Sequence, residues 1–452
     1  MSEKNLVNIL KNGKIEIDNP YSLEKFWYID GSDLFENKMK EFYPPDVWFI
    51  GKNKTFEMEL VKAIEKANEL IIVCSFLIQE TGITEAILKA EKKGVRVYIL
   101  TASEHRLEKD QAKENETDNE RIEDHKELLR ILTKKCFIRT ARHFHAKFIL
   151  IDPKSENRIG YLSSANFTQN ALSKNLEIGI KLNNNQIIDL FNTFCQSFWF
   201  EAEHESLSQE SLRSVRKINE NLIQKPRIEH IFGAKQELDF REALEKAIEN
   251  TSGPIHICTY SIEQNTNFFD TLIKQLKKGR KLILYTRPRK NDLEPLTKLK
   301  EFGAQIRGHP LLHMKGLFIE DDKNPIGLIF TGNLTTESFD SSYDVGIYLS
   351  KEQSYIILSI MKSWNEIIPC TFFSKKNIKD LKTGNYLWWD KENVRVNIEE
   401  NRIIYLGEIN IENIKQKMDL DLLLNIPDSM KFKSKKFTFI WKVMKIENKS
   451  TK

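Results

Sequence analysis

The sequence has no apolar run long enough to cross a membrane and no apolar segment near its start. No stretch of about 18 consecutive apolar residues occurs, which excludes a transmembrane helix of ordinary length. The first residues, MSEKNLVNILKNGK, are polar and lack the hydrophobic core of a secretory signal peptide. We therefore expect a cytoplasmic protein that acts without a membrane.

Cysteine is scarce, and two common nucleotide-binding patterns are missing. The five cysteines are scattered, mostly in apolar runs, and have none of the paired spacings of a zinc site: Cys74, Cys136, Cys195, Cys258 and Cys370. Their odd number and placement predict buried free thiols in a reducing compartment. The chain has no Walker motif and no Gly-x-Gly-x-x-Gly pattern, so we do not expect it to be an ATP-driven helicase itself.

The remaining composition is that of a soluble globular protein. The chain has 452 residues, of which 40% are hydrophobic and 30% charged, so it is long enough for two or three domains with a large core. Its formal net charge of +4 is shared by many proteins without a polyanionic partner, so local charge must decide what it binds. Its richness in Lys, Ile and Asn favours a bacterial source.

An internal repeat organises most of the chain. Residues 71–101 and 255–286 both predict a buried strand, an amphipathic helix that ends in Lys-Lys-Gly, and a second buried strand. Gly94 and Gly279 stand where each helix ends, a position that favours glycine. Nearly continuous apolar strands that alternate with helices predict an α/β fold whose sheets are covered on both faces.

The repeat predicts two αβ sandwich domains that pack as a pseudo-dimer about a two-fold axis. Helices at 54–68 and 238–249 are expected to open the two domains, and helices at 185–199 and 351–365 to close them. The predicted order is an N-terminal extension (1–44), a first domain (45–200), a linker with one helix (201–230), a second domain (231–372) and a C-terminal accessory module (373–452).

Two segments leave alternatives open. The charged residues 103–130 predict either a solvated helix or loop, or an insertion that gates substrate. The C-terminal module predicts short strands, a helix near 411–422 and a basic, aromatic end. Those aromatic residues fit either the core of a small β-rich domain or a nucleic-acid-binding surface.

The pattern His-x-Lys occurs twice, and each copy opens a matching block. The first block is HAKFILID, then SSANFT, then NLEIGI; the second is HMKGLFIE, then TGNLT, then SYDVGI. The separation from His to Asn is 21 residues in the first block and 20 in the second, and from His to the last acid it is 32 and 31. Two histidines and two lysines that converge on one point would form a phosphodiester-cleaving site that needs no metal.

This double pattern resembles the phospholipase D superfamily, whose half-site has the order His-x-Lys-x4-Asp, Gly-Ser-x-x-Asn or Gly-Ser/Thr-x-Asn, then Asn-x-Glu. The resemblance covers about residues 45–370. The first block departs from it by Ser163 in place of Gly, and the second by Glu320, Ser342 and Asp344 in place of Asp, Asn and Glu. The resemblance implies two phospholipase D-like repeats and a phosphodiesterase that uses no metal and no cofactor.

The predicted catalytic group contains two histidines, two lysines, two asparagines and two acids: His145, His313, Lys147, Lys315, Asn166, Asn333, Glu177 and Asp344. One imidazole attacks phosphorus and forms a phosphohistidine, while the other donates a proton and later accepts one from water. Lysine and asparagine stabilise the developing charge, and the acids orient the imidazoles. The resemblance implies that the N-terminal histidine is the one that attacks.

Five further residues are predicted to support this group. Ser164 and Thr331 are expected to contact the phosphate, and His143 to line the site because a strand would point it to the same side as the nearby catalytic histidine. Asp152 and Glu320 are expected to brace the site structurally.

Several phosphodiesters remain possible substrates. The run SSANFTQNAL resembles the nuclease branch of the superfamily, and the Asp-x-Arg-Ser run of the phospholipid synthases is missing. The leading interpretation is a metal-independent bacterial nuclease that acts on DNA rather than RNA. Its expected role is restriction, antiphage defence or DNA processing, beside a helicase or another defence-system protein. The alternatives are a phospholipid phosphodiesterase or phosphatidyltransferase, and a non-catalytic nucleic-acid-binding subunit of a defence or repair complex.

Overall fold

The computed structural model describes residues 22–29, 46–50, 54–103, 119–133, 135–208, 211–215, 228–233, 239–377, 380–381, 384–389, 393–399, 402–410, 432–433 and 436–442. The chain forms two compact units. The larger comprises Glu36–Arg287 and Pro310–Glu366, and the smaller comprises Met1–Phe35, Pro288–His309 and Ile367–Lys452. Both histidine motifs lie in the larger unit. Within the described ranges, no helix combines the length and the apolar character needed to span a bilayer.

The first half of the larger unit is built on a nine-stranded sheet. Its strands are β2 (Val47–Ile50), β3 (Leu70–Cys74), β4 (Arg96–Ala102), β5 (Phe137–Ala141), β6 (Phe148–Ile151), β7 (Ile159–Ser163), β8 (Glu177–Lys181), β9 (His204–Ser208) and β10 (Ser211–Ser214). Their spatial order is β10-β9-β5-β4-β3-β6-β7-β8-β2. The three strands β3, β4 and β5 run parallel, and β6 pairs antiparallel with β3. The first motif therefore enters the sheet beside its central strands.

Two helices cover this sheet because each has one apolar face. Helix α1 (Thr55–Glu65) buries Phe56, Leu60 and Ile64, and α2 (Thr81–Lys92) buries Ile83, Ile87 and Ala90, all within one core cluster. Each aliphatic side chain removed from water contributes about 1.5–3 kcal/mol. Gly94 follows α2 with a φ of 92°, the left-handed conformation that favours glycine there.

The second half repeats this arrangement. Its strands are β11 (Ile231–Gly233), β12 (Ile255–Thr259), β13 (Leu282–Thr286), β15 (Gly316–Ile319), β16 (Ile326–Phe330) and β17 (Val345–Tyr348), in the order β11-β17-β16-β15-β12-β13. As in the first half, the first two strands of the repeat run parallel and the motif strand, β15, pairs antiparallel with β12.

The helices of the larger unit complete its core. They are α3 (Asn119–Leu132), α4 (Gln169–Ser173), α5 (Asn184–Gln196), a π-helical turn (Ser197–Glu201), α6 (Phe240–Glu249), α7 (Asn267–Lys277), α9 (Thr336–Asp340) and α10 (Lys351–Ile367). The mixed α/β class predicted from the sequence is confirmed. The predicted domain boundaries stay predictions.

Three local predictions need correction or lie outside the described chain. The blocks HAKFILID and HMKGLFIE predict strands that begin at the catalytic histidines, but β6 starts at Phe148 and β15 at Gly316. The backbone N–H groups of His145 and His313 bond to the opposite half instead. The described part of the predicted linker forms β9 and β10, not a helix. Residues 104–118 of the charged stretch lie outside the described residues.

The smaller unit is mainly a sheet. Its elements are β1 (Ser22–Ile29), a 3-10 turn (Lys290–Asp292), α8 (Leu293–Glu301), β14 (Gln305–Gly308), β18 (Cys370–Asn377), β19 (Gly384–Trp389), β20 (Asn393–Glu399), β21 (Arg402–Asn410), β22 (Phe432–Lys433) and β23 (Lys436–Lys442). The sheet order is β14-β18-β1-β19-β20-β21-β23-β22. The N-terminal extension thus contributes a strand to the C-terminal module. The helix predicted near 411–422 lies outside the described residues.

Candidate active site

The backbone of each motif is held by the opposite half of the larger unit. The N–H of His145 donates to the carbonyl of Tyr343 at 3.1 Å, and the N–H of His313 donates to the carbonyl of Leu176 at 2.9 Å. Tyr343 and Leu176 directly precede Asp344 and Glu177, the acids that pair with the same two histidines. The two halves are therefore joined by backbone hydrogen bonds at the point where both histidines emerge.

The two histidines are paired crosswise with carboxylates. His145 Nδ1 lies 2.7 Å from Asp344 Oδ1, and His313 Nδ1 lies 2.5 Å from Glu177 Oε1. An ionised carboxylate only accepts hydrogen bonds, so in both pairs Nδ1–H is the donor. That tautomer leaves Nε2 as the nitrogen that can attack or carry a proton. Each half thus supplies a histidine to its own motif and an acid to the other motif.

The lysines are fully buried beneath the histidines. Lys147 Nζ donates to the carbonyl of His145 at 2.5 Å, and Lys315 Nζ donates to the carbonyl of His313 at 2.8 Å. Lys315 Nζ also lies 3.4 Å from His313 Nε2. Burial lowers the pKa of Lys315 to about 8, although Glu177 opposes that shift. Positive charge held this close to Nε2 is suited to stabilising non-bridging oxygens of a phosphate.

Both imidazoles are held neutral at neutral pH. Burial and the neighbouring Lys147 lower the pKa of His145 to about 4, against the opposing effect of Asp344. Burial likewise lowers the pKa of His313 to about 4. For Glu177 and Asp344, burial opposes ionisation, but the paired histidine and nearby lysine outweigh it and lower both pKa values to about 2. The resting site therefore holds ionised carboxylates and neutral imidazoles.

Ser164 and Thr331 serve the carboxylates. Ser164 Oγ donates to Glu177 Oε2 at 2.6 Å, and Thr331 Oγ1 donates to Asp344 Oδ1 at 2.8 Å. The hydroxyl oxygen of Ser164 also accepts a hydrogen bond from the backbone N–H of Ile178, and that of Thr331 accepts one from Val345. A hydroxyl has one proton, and here it is used on the acid, so the phosphate contact predicted for these two residues is replaced by a role in holding the acids.

The asparagines lie at the turns that follow β7 and β16. The Oδ1 atoms of Asn166 and Asn333 are buried and have no hydrogen-bond partner among the described residues. Oδ1 is an acceptor, so the amide atom that can donate a hydrogen bond to a phosphate oxygen is Nδ2. His143 lies in an exposed turn rather than on a strand, so the strand argument that placed its side chain in the site does not hold.

Asp152 and Glu320 directly follow β6 and β15, whereas the catalytic histidines precede these strands. Asp152 accepts backbone N–H groups from Asn68, Glu69 and Leu70, each at 2.8 Å. Glu320 contacts His256 Nε2 and Lys362 Nζ, each at 2.5 Å. Both carboxylates are fully engaged with protein groups, which are contacts of structural support.

Sequence reasoning missed three residues beside the histidines. The ring of Phe76 lies 5.3 Å from that of His145, and the ring of Tyr260 lies 4.7 Å from that of His313. Arg287 Nη2 donates to Asn175 Oδ1 at 3.2 Å. Phe76 and Tyr260 occupy matching positions in VCSFLIQ and ICTYSIE, so a full alignment of the internal repeat would have found them.

No group of three or more histidine, cysteine or acidic side chains suited to a metal ion occurs in the described ranges. The geometry instead offers two imidazoles, two ammonium groups and two amides. These are the groups that can attack a phosphodiester, protonate its leaving oxygen and neutralise its charge.

Comparisons with known proteins concern the family and the fold. Residues 60–199 match the family model described as "Cardiolipin synthase, PLD-like domain". None of the curated proteins matched the sequence. A solved phosphatidylserine synthase of Haemophilus influenzae is 14% identical, with a TM-score of 0.52 over 77% of this chain and 92% of its own.

Two further solved structures are also similar. A polyphosphate kinase of Porphyromonas gingivalis is 12% identical, with a TM-score of 0.48 over 73% of this chain, which spans about half (48%) of the kinase. Nuc of Salmonella typhimurium, a phospholipase D family member, is 22% identical over 35% of this chain and 97% of its own, with a TM-score of 0.28.

The family match covers most of the first half, and the likeness to the phosphatidylserine synthase, which concerns the fold alone, extends over most of the chain. The crossed histidines and buried lysines are the chemistry expected of the same family. Residues 60–199 thus match a phospholipase D-like family model, and the second histidine motif lies in the same unit as the first.

Proposed function

We propose that this protein is a metal-independent nuclease that cleaves DNA through a phosphohistidine intermediate. The observation that carries the proposal is the crossed pairing of His145 with Asp344 and of His313 with Glu177. It leaves Nε2 of each neutral imidazole as the reactive nitrogen, with a buried lysine next to each histidine. A phosphodiester bound there meets a nucleophile, a proton carrier and compensating charge without a metal ion.

The first step forms one bond and breaks one. Nε2 of His145 attacks phosphorus, the P–N bond forms, and the bond to the leaving oxygen breaks. The second imidazole, His313, carries a proton on Nε2 and gives it to that oxygen. Lys147, Lys315 and the two asparagine amides stabilise the charge on the non-bridging oxygens.

The second step returns the site to its starting state. His313, now neutral, accepts a proton from water as the water oxygen attacks phosphorus. The P–N bond breaks, and His145 leaves as the neutral imidazole that attacks again. The choice of His145 as nucleophile follows the usual order in the superfamily, because the two pairs have nearly the same geometry.

DNA as substrate is supported by the motif sequence. The run SSANFTQNAL resembles the nuclease branch, and the Asp-x-Arg-Ser run typical of phospholipid synthases is missing from both blocks. The cellular role we propose is restriction, antiphage defence or DNA processing in the cytoplasm. A helicase or another defence protein would then supply the ATP-driven step, since this sequence carries no Walker motif.

A second candidate is a phospholipid phosphodiesterase or phosphatidyltransferase. Two observations favour it: the matching family model carries the description of a cardiolipin synthase, and a phosphatidylserine synthase shares the fold. A third candidate is a non-catalytic subunit that binds nucleic acid, which the polar, buried catalytic side chains argue against because they are costly to maintain in a core.

One assay separates these candidates. The purified full chain is incubated with single- and double-stranded DNA, with RNA, and with vesicles containing phosphatidylglycerol, each with EDTA and with magnesium. We expect cleavage of DNA that is unchanged by EDTA and lost in His145→Ala. Release of a lipid headgroup or transfer product would favour the second candidate. Binding of DNA without cleavage would favour the third, and activity that EDTA abolishes would contradict the metal-independent mechanism.

A further inference from the structure

The surroundings of the two catalytic histidines differ. We define the His313 corner as four residues near that histidine: Glu177, Asn175, Tyr260 and Arg287. The His145 corner consists of their counterparts in the repeat, in the same order: Asp344, Ser342, Phe76 and Ala102. In every pair the His313 corner has the larger or more polar residue. The greatest difference is between Arg287, a cation, and its repeat counterpart Ala102, whose side chain is a methyl group.

Arg287 is fixed in the His313 corner by two contacts. Its Nη2 donates to Asn175 Oδ1 at 3.2 Å, and its Cζ lies 5.1 Å from the centre of the Tyr260 ring. The guanidinium is planar and rigid, so these contacts hold a fork of donors in a set orientation. In the His145 corner, Ala102 instead packs with Phe76 in a small apolar cluster.

Arg287 is also close to the catalytic groups. The His313 ring centre lies 4.7 Å from that of Tyr260, so the His313 ring and Arg287 Cζ are at most about 10 Å apart. This upper bound leaves Arg287 within reach of a phosphate next to the one at His313. The charge of Arg287 contributes to the lowered pKa values of both His313 and Lys315.

Arg287 adds positive charge to the catalytic groups. In the reactive state, Lys147, Lys315 and one protonated histidine carry three positive charges. Glu177, Asp344 and the scissile phosphodiester carry three negative ones. Arg287 adds a further positive charge beside them, and a guanidinium is suited to binding a second phosphate of the substrate.

We propose that Arg287 is a specificity-determining residue that binds a second substrate phosphate, next to the scissile one and on one side of it only. This inference rests on the proposed nuclease function. Because His313 gives its proton to the leaving oxygen, the bound phosphate belongs to the leaving fragment. The His145 corner offers Phe76 and Ala102 in the corresponding place, which cannot bind an anion.

The test removes the charge of one phosphodiester from the substrate and, separately, the charge of Arg287 from the protein. The substrate is a single-stranded DNA oligonucleotide with one central methylphosphonate, a linkage that carries no charge, and cleavage is mapped at the phosphodiesters on either side of it. In the wild type, cleavage at the diester on one side should fall about 10- to 100-fold, as expected for one lost charge-assisted hydrogen bond, and cleavage on the other side should not.

Variants of Arg287 should remove this asymmetry. In Arg287→Ala the two flanking diesters should be cleaved at equal rates, and Arg287→Lys should retain part of the difference because its charge remains without the fork. The matched control is Arg158→Ala. Arg158 is a partly buried arginine in the turn between β6 and β7, where its Nε donates to the carbonyl of Ser155. This control should keep the wild-type asymmetry.

The outcomes separate the inference from the proposed function. Equal cleavage on both sides of the methylphosphonate by the wild type would overturn the one-sided subsite, as would an asymmetry that persists in Arg287→Ala. Failure of the wild type to cleave the unmodified oligonucleotide would overturn the nuclease function, and the subsite with it. A cleaved oligonucleotide with the expected asymmetry supports both.

Discussion

Glu177, in the first half of the larger unit, accepts a hydrogen bond at 2.5 Å from Nδ1–H of His313, in the second half. Asp344, in the second half, accepts the corresponding hydrogen bond from Nδ1–H of His145, in the first half. Neither half can complete a histidine–acid pair by itself. The larger unit therefore contains one combined site rather than two independent ones, and the effect of each acid should be felt by the histidine of the opposite motif.

The crossed pairing predicts different effects for the two acids. Glu177→Gln should mainly impair the proton carrier His313, and Asp344→Asn should mainly impair the nucleophile His145. Loss of general acid catalysis costs about 10²–10⁴-fold for a poor leaving group and much less for a good one. We therefore expect Glu177→Gln to lose far more activity on DNA than on an aryl phosphodiester, and Asp344→Asn to lose activity on both. kcat/KM on the two substrates measures this, and the reverse pattern would exchange the two assignments.

The covalent intermediate can be trapped. In His313→Asn the attacking imidazole remains, but the base that activates water is lost. With an aryl phosphodiester, this variant should accumulate phosphorylated His145, visible as added mass on the intact protein, whereas His145→Ala should show neither adduct nor cleavage. An adduct on His313 in His145→Ala would reverse the roles. Cleavage by both variants without any adduct would rule out the covalent route.

Much of this site could be predicted from the sequence, because its motifs are local. Each His-x-Lys block places its own residues through short spacings, and the nearly equal spacings in the two copies indicated one shared site. The crossed pairing of Glu177 with His313 could not be predicted, because it depends on how the halves pack. The strand starts were wrong for the same reason: the backbone of His145 bonds to Tyr343 in the opposite half.

The repeat explains which neighbours could be found. Phe76 and Tyr260 are matching residues of the two copies, so alignment finds them as a pair. Arg287 has Ala102 as its counterpart, and a method that looks for repeated chemistry passes over it. The roles of Ser164 and Thr331 were missed because a hydroxyl near a phosphate site has the same sequence signal whether its proton goes to phosphate or to an acid.

The lowered histidine pKa values predict an acidic optimum. The reactive form needs one imidazole protonated and the other neutral, and burial lowers the pKa values of both His145 and His313 to about 4. As pH rises above that range, the protonated fraction falls, so kcat/KM on DNA should decrease between pH 5 and pH 8. A further decrease is expected above pH 8, where Lys315 loses its charge.

A matched substrate controls this pH profile. An aryl phosphodiester needs little help from a general acid, so its kcat/KM should fall less steeply over the same range. A bound phosphate favours protonated histidine, so kcat should fall at higher pH than kcat/KM. Profiles for DNA and the aryl ester that coincide, or values that rise from pH 5 to pH 7, would contradict the assigned protonation states.

Asp152 should contribute to stability rather than to chemistry. Its buried carboxylate accepts three backbone N–H groups, two on Oδ1 and one on Oδ2, where the chain turns from α1 into β3. Asp152→Asn keeps Oδ1 but places an amide NH2 group against the backbone N–H of Asn68, so that two donors meet. It should lower the free energy of unfolding by about 1–2 kcal/mol. Asp152→Ala removes all three acceptors and places alanine at a φ of 44°, so about 3–4 kcal/mol is expected.

Chemical denaturation of the purified variants measures these losses, and activity per folded molecule should stay near the wild-type value in both. The matched control is Asp321→Ala. Asp321 also accepts two backbone N–H groups, from Lys323 and Asn324, but it is exposed, and water replaces its bonds when it is removed. That substitution should change stability by less than about 0.5 kcal/mol. A specific loss of kcat in Asp152→Asn, at unchanged stability, would instead place Asp152 in the chemistry.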